Sequence, residues 1–266
     1  MPDILTISEI ENISHLQPEG WTDIRDAFRF YCTHDFCHPV KVTTDNKIVG
    51  VGSSIFYDKT TWLAHIIVGA DYRRRGIGYN IVDSLLHNIN EKGIKTSLLI
   101  ATESGEPVYS KAGFRKVSDY LFFKRESIRM GRKYSENIKP YKSDYYKDLI
   151  ELDTYISGEN REILLKEYLK NSFVFIRNKV IEGFYTQGLG EGPILSLTVE
   201  AGRELMRFKY SNADKATIPG ENKVGIEFLR ENGFIPANTT GRRMILGRDI
   251  EWKPEMIYSR IGGNFG

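Results

Sequence analysis

The sequence is short of cysteine. Cys32 and Cys37 are the two in 266 residues. That is too few for a disulfide framework, and a reducing cytoplasm is the expected compartment. A charge of one sign is also lacking: 37 Lys and Arg face 35 Asp and Glu, a formal net of +2. This balance excludes a protein held to nucleic acid by bulk charge, and leaves room for a local basic spot. Long apolar runs are missing as well. No stretch approaches the roughly 20 apolar residues that a membrane span needs. Residues 1–16 carry acids and lack a basic segment followed by an apolar one. No signal peptide and no membrane partner are therefore expected.

What is present suits an ordinary globular chain. Apolar residues at 41% can fill real cores, and charged residues at 27% can solvate a surface. The length favours two domains. Residues 4–10 alternate apolar and polar, which predicts a first strand. Residues 21–31 place Ile24, Ala27, Phe28 and Tyr31 at helical spacing, with Thr22 as N-cap. Three strands are expected over 39–44, 47–56 and 61–68, joined by short polar turns as in an antiparallel meander. A helix over 79–90 then carries an apolar stripe of Ile81, Val82, Leu85, Leu86 and Ile89, and Gly93 ends it. A buried strand over 96–101, a short helix over 107–111 and a last strand over 114–124 complete the first half.

The polar, basic stretch 126–136 reads as a linker. The second half repeats the order more faintly. It has a helix over 163–169 and strands over 173–177, 179–187 and 193–199. A helix over 201–210, a strand over 215–218, a helix over 224–231 and a strand from 243 follow. Both halves close a helix with Gly-Phe, at Gly113-Phe114 and Gly233-Phe234. Two copies of one α/β unit account for this, and so does chance agreement between two domains of mixed class.

Between a strand and a helix lie Arg73, Arg74, Arg75, Gly76, Ile77, Gly78 and Tyr79. Glycine lets the backbone curl and approach a ligand closely. A helix start leaves N–H groups unpaired, and its dipole favours an anion such as a pyrophosphate. A basic turn that merely caps a helix fits the same residues. The spacing is neither a dinucleotide fingerprint nor a Walker loop.

Residues 68–78, Val-Gly-Ala-Asp-Tyr-Arg-Arg-Arg-Gly-Ile-Gly, resemble the signature of the GNAT acetyltransferase superfamily. There a strand-ending Val precedes Arg/Gln-x-x-Gly-x-Gly/Ala. Ala70 stands where that superfamily usually has Pro. Residues 101–114, from Ala101-Thr102-Glu103 through Val108-Tyr109 to Gly113-Phe114, resemble its second signature, and the order of the two is right. The second half is similar to the companion domain of a tandem subgroup at Gly192-Pro193-Ile194, Asn232-Gly233-Phe234 and 243–247.

The resemblance implies an α/β fold of the α+β type. Two GNAT-like domains are expected, each with a mixed, mostly antiparallel central sheet flanked by helices. Residues 1–128 would form the catalytic domain and 129–266 a degenerate copy. It implies an N-acetyltransferase that moves an acetyl group from acetyl-CoA to a primary amine by direct attack in a ternary complex. A non-catalytic CoA-binding sensor, or transfer of another acyl group, remains an alternative. No metal is implied.

In that frame the backbone of Ile66, Ile67 and Val68 pairs with pantetheine, and an N–H near Val68 stabilises the oxyanion. Residues 73–79 hold the pyrophosphate. Tyr109 protonates the leaving thiolate, or only packs its ring. Glu103, beside the thioester, is a base or a solvated loop acid. His65 has a suitable pKa, and a core or surface histidine is the plainer reading. Asp26 and Asp35 lie in the early helical region that usually walls the acceptor.

Cys32, His34, Cys37 and His38 fall within seven residues. Their spacing is too tight for paired zinc knuckles, and Cys32 reads as core. Asp153 and Arg161 flank Tyr155–Gly158 and read as a surface pair, or as a pair that orders that loop or faces a shared cleft. In the second half the place of the phosphate loop falls at 197–203, where Gly-x-Gly is absent and Glu200 puts a carboxylate. One CoA site per chain is expected. The acceptor, a small-molecule or peptide amine, is unnamed, and monomer and homodimer both remain open.

Overall fold

A computed structural model describes residues 2–127 and 134–266. The expected linker and the boundary at 128/129 fall largely outside the described residues. Along the chain the elements are β1 (Asp3–Ile4), α1 (Ile24–Thr33), β2 (Cys37–Thr44), β3 (Lys47–Phe56), β4 (Thr60–Val68), α2 (Ile77–Glu91), β5 (Thr96–Ala101), α3 (Glu106–Lys111) and β6 (Arg115–Lys124). Next come β7 (Ile138–Pro140), α4 (Tyr146–Ser157), α5 (Glu162–Leu165), β8 (Ser172–Arg177), β9 (Val180–Thr186) and β10 (Ile194–Ser196). They are followed by α6 (Val199–Lys209), β11 (Lys215–Pro219), α7 (Lys223–Glu231), β12 (Ile235–Gly247) and β13 (Ile257–Ser259). The chain is a mixed α/β protein, as the sequence predicts.

Several local expectations fail; the strand expected from 243 begins at Ile235, and the helix expected over 163–169 is the short α5. The alternation at 4–10 is not one strand: β1 is two residues long, and Ile7–Leu16 is a 3-10 helix that buries Ile10, Ile13 and Leu16. Ile10, Ile13 and Leu16 sit three apart, the period of that tighter helix, whereas a strand would send them to alternate faces. Asp23, not Thr22, caps α1, accepting from the Arg25 N–H. The region before residue 158 is not a loop. It is α4, which ends at Gly158 with φ 72°.

The chain divides into two compact units. The first comprises Met1–Lys116, Met244–Asp249 and Gly263–Phe265. The second comprises Val117–Arg243, Ile250–Gly262 and Gly266. In the first unit the strand order is β1-β2-β3-β4-β5, with the end of β12 beside β5. β2, β3 and β4 form the antiparallel meander, and β4 runs parallel to β5. The core joins Ile81, Val82, Leu85 and Ile89 of α2 to Val40, Leu63, Leu99 and Met244. Each such side chain contributes about 1.5–3 kcal/mol on burial. Gly52 lets α2 lie close on the sheet: a Cβ there would come 2.6 Å from Ile81 and 2.7 Å from Ile66.

In the second unit β6 pairs antiparallel with β11. A five-stranded sheet runs β13-β10-β9-β8-β7. Its core gathers Phe175, Ile194, Ala201, Leu205, Met206, Ile218, Leu229 and Tyr258. Asp153 and Arg161 are not on the surface. Their side chains are 1% and 5% exposed, and the guanidinium grips the carboxylate with two hydrogen bonds of 2.6 and 3.1 Å. A fully desolvated pair of this geometry fixes the turn after α4.

Candidate functional site

The open edge of β4 organises the site. On one side β4 pairs with β3 along nearly its whole length. On the other, its partners in β5 are Thr60↔Thr96, Thr61↔Ser97 and Trp62↔Leu98. Among the described residues no pairing with β5 continues from Leu63 to Val68, so parallel strands that start together separate. The N–H and C=O groups on that edge need a partner, and an extended ligand can supply one. Ile66, Ile67 and Val68 lie on this segment.

The register of β3 and β4 also slips here. Val51 faces Ile67 and Ser53 faces Ala64, so Gly52 opposes both His65 and Ile66. This is a β-bulge. His65 carries the strain, with φ at 50°.

Val68 leads through Ala70–Tyr72, a 3-10 turn, into the basic loop. Arg73 donates from Nε to the Val68 carbonyl at 3.1 Å, tying the loop to the strand end. Arg74 has φ 59° and Gly76 φ 81°, so the backbone curls twice before α2 begins. Gly76 is the N-cap; no side chain caps α2, and its first turn holds no acid. Arg73, Arg74 and Arg75 are all exposed. The Arg75 guanidinium lies 5.3 Å from the centre of the Tyr72 ring, and the Lys111 ammonium lies 4.7 Å from that of Tyr79. Uncapped N–H groups and the positive end of a helix dipole thus lie next to three exposed arginines in the chain.

Tyr109 sits in α3, half-buried, with its ring edge-on to Phe114 at 6.2 Å. Burial pushes its phenol above the ordinary value. Its hydroxyl makes no hydrogen bond among the described residues. Glu103 is exposed in the turn between β5 and α3, where Thr102 accepts from the Gly105 N–H.

His65 is more deeply placed than a surface histidine. Trp21 and Phe28 meet its ring at 5.7 and 6.0 Å. Its Nδ1 lies 2.7 Å from the hydroxyl of Tyr31, and that hydroxyl accepts from Asn264 Nδ2 at 2.9 Å. Desolvation lowers the imidazole pKa to about 4. Sequence reasoning singled out neither Tyr31, beyond its helical spacing, nor Asn264, and no spacing signal links them to His65.

Of the remaining candidates, Asp26 is bound to Arg29 at 3.0 Å on an exposed helix face. Asp35 lies in an exposed turn. The Cys32 thiol donates to the Leu5 carbonyl at 3.3 Å, and burial pushes its pKa up to about 11. His34 stacks on Phe30. Among the described residues, no three His, Cys, Asp or Glu side chains gather where they could hold a metal, and no helix is long and apolar enough to cross a membrane.

The second unit treats the corresponding place differently. β10 pairs with β9 on one side, and β13 pairs with it on the other, with Ile194 facing Ser259 and Leu195 facing Ile257. The strand edge that β4 leaves open is closed in β10 by the chain itself. At the start of α6, Thr198 accepts from the Ala201 N–H, and Glu200 stands in the first turn, paired with Arg177. The Tyr258 ring covers Gly202 so closely that a methyl group there would run into it.

The family model of the acetyltransferase (GNAT) domain matches residues 12–129. Among curated relatives, the uncharacterized N-acetyltransferase YitH of Bacillus subtilis (strain 168) is 25% identical over 192 residues, 67% of this chain and 67% of that protein. A second Bacillus subtilis protein, assigned to the acetyltransferases, is 29% identical over 118 residues, 44% of this chain and 80% of its own. Among solved structures, a Pyrococcus horikoshii protein assigned to the acetyltransferases superposes with a TM-score of 0.82. It is 21% identical and covers 100% of this chain and 95% of its own. A GCN5-related N-acetyltransferase from Sphaerobacter thermophilus gives 0.64 at 12% identity, covering 95% and 98%. At these identities the likeness to solved structures establishes the fold.

Proposed function

We propose, on the premise that residues 12–129 belong to the GNAT acetyltransferase family and the chain is therefore an acyltransferase, that it moves an acetyl group from acetyl-CoA to a primary amine. Transfer is direct, in a ternary complex. The observation that carries this reading is the unpaired edge of β4 running into an uncapped, arginine-flanked helix start. Pantetheine adds to the edge of Ile66, Ile67 and Val68 as a strand would. The pyrophosphate sits on the N–H groups from Gly76 to Tyr79, with Arg73, Arg74 and Arg75 around it.

The chemistry follows from those placements. The amine lone pair attacks the thioester carbon, and the oxyanion takes a hydrogen bond from a backbone N–H near Val68. The C–N bond is kept and the C–S bond breaks. The thiolate leaves with a proton from Tyr109, whose raised pKa keeps that proton on the phenol at neutral pH. The surplus proton on the new amide nitrogen passes to water or to Glu103.

Titration with acetyl-CoA, then assay of free thiol over a diverse amine library, tests the reading. Binding with thiol release on at least one amine is expected. Tyr109→Phe should lower kcat by about a hundredfold or more, the scale of general acid catalysis, with CoA affinity unchanged. Binding without thiol release on any amine would favour a sensor. Absence of CoA binding would remove the proposal altogether.

A further inference from the structure

His65 brings a directional polar group to the bulge of β4, beside the open edge. Four observations bear on it. It lies at the bulge of β4, one residue before the segment whose edge is open. Its φ of 50° turns the side chain away from the α2 face, where Ile66 packs toward Ile81, and into the rings of Trp21, Phe28 and Tyr31. A histidine tolerates this conformation better than most residues, at some cost in backbone energy. Nδ1 is engaged by Tyr31, while Nε2 has no partner among the described residues and is not sealed from solvent. Trp21, edge-on to the ring, is 45% exposed.

The hydrogen-bond chain assigns the proton. The Tyr31 phenol is buried, and burial pushes its pKa up, so it keeps its hydrogen. Its oxygen accepts from Asn264. The one hydrogen that Tyr31 can donate has His65 Nδ1 as its acceptor at 2.7 Å. A neutral imidazole that accepts at Nδ1 carries its own hydrogen on Nε2. The free corner of His65 is therefore an N–H.

We propose that His65 is a positioning residue that donates from Nε2 to an oxygen of the acceptor beside its amine, which selects amines with a neighbouring carbonyl over plain alkylamines. It does not take the amine's proton, because in this tautomer the nitrogen left without a partner among the described residues has no lone pair to offer. The Tyr31–Asn264 relay holds the tautomer. The apolar walls of Trp21 and Phe28 strengthen a single hydrogen bond by excluding water. This inference rests on the acetyltransferase reading above.

Two measurements test it in the full chain. Long-range ¹H–¹⁵N correlation on histidine-labelled protein should find the His65 hydrogen on Nε2 at neutral pH, and Tyr31→Phe should release that preference. A hydrogen on Nδ1 overturns the inference. Phenylalaninamide and phenethylamine, which differ by the carboxamide, form the kinetic pair. With kcat/KM calculated on the free-base amine, since the two amines differ in pKa, the wild type should favour the amide by about tenfold, the size of one hydrogen bond. His65→Phe should abolish the preference through KM, while His65→Gln, which keeps an N–H donor, should retain most of it.

The acetyl-CoA affinity of every variant should match the wild type, which separates a lost contact from a lost fold. An unchanged preference in His65→Phe overturns the inference. So does loss of an ionisation from the kcat–pH profile in His65→Gln, or failure of the wild type to use the amide. In each of those cases the donor reading survives as long as acetyl-CoA binds and some amine releases thiol. Absence of CoA binding would sink the donor reading itself.

Discussion

A histidine in a left-handed conformation, walled by three rings, costs the fold something, and that cost shows in its titration. Desolvation depresses the His65 pKa to about 4, against an ordinary value of 6.5. Tyr31 is the titratable group that faces it, and it stays neutral. Between those two pH values the unfolded chain binds a proton that the folded chain refuses, so stability rises with pH across the window. The His65 contribution is fully present above about pH 6.5 and is lost as pH falls toward about 4. The unfolding midpoint of the wild type should therefore drop on acidification through this window by more than that of His65→Gln. Parallel midpoints for the two proteins between pH 7 and 4 would refute the assignment. At this scale the sequence singles out individual residues only where a signature names them. Tyr109 and the residues from Arg73 to Tyr79 were picked out by their signatures. His65 reads in sequence as a candidate base or, more plainly, as a core or surface histidine, since its setting depends on a bulge, a positive φ and an asparagine far along the chain. None of these leaves a periodic trace.

Elements differ in how they treat the same task, and α2 and α6 make the contrast. Both open a helix after a meander strand. α2 starts at Gly76 with no capping side chain and no acid, whereas α6 starts at Thr198, capped, with Glu200 tied to Arg177. A cap and a carboxylate already meet the demands that an anion would otherwise meet. Replacing Arg74 and Arg75 together by Glu should give α2 the character of α6. The dissociation constant for CoA should rise at least about tenfold, the loss of one charge-assisted hydrogen bond, with the unfolding midpoint nearly unchanged because both side chains are exposed. CoA affinity equal to the wild type, by calorimetry at low salt, would show that the phosphates bind elsewhere. Element types were well legible here. β3 and β5 fall on the residues that alternation and apolar run length predict, and the buried stripe of α2 carries Ile81, Val82, Leu85 and Ile89 as expected. Failures came where a short window hid the period. Ile10, Ile13 and Leu16 sit three apart, which suits a 3-10 helix, and two of them lie beyond the window 4–10 that reads as a strand. Residues 146–157 hide α4 because its inward face uses Asp153, a polar residue that only its partner Arg161 makes compatible with burial.

For the whole molecule, the question is how many cofactor sites one chain can offer. Composition and the faint repeat predict two similar units, and Glu200 alone suggested that the second lacks a site. The second unit supplies a stronger reason. β13 pairs with the free edge of β10, and Tyr258, which follows in that strand, covers Gly202 near the start of α6. A pantetheine arm would have to displace a paired strand, and a pyrophosphate would have to displace a buried ring in the core. That strand was not legible in sequence, since three residues of a short tail carry no periodicity and their partner lies far earlier in the chain. Displacement would break the ladder between β10 and β13 and expose Ile257 and Tyr258 to water, whereas the edge of β4 is already open and asks for no such opening. Binding should therefore saturate at one CoA per chain, with a single affinity and without a slow phase. Titration calorimetry on the full chain measures the ratio directly. A ratio of two, or a second slow-binding event, would mean that β13 leaves its place and that the second unit is a working cofactor site.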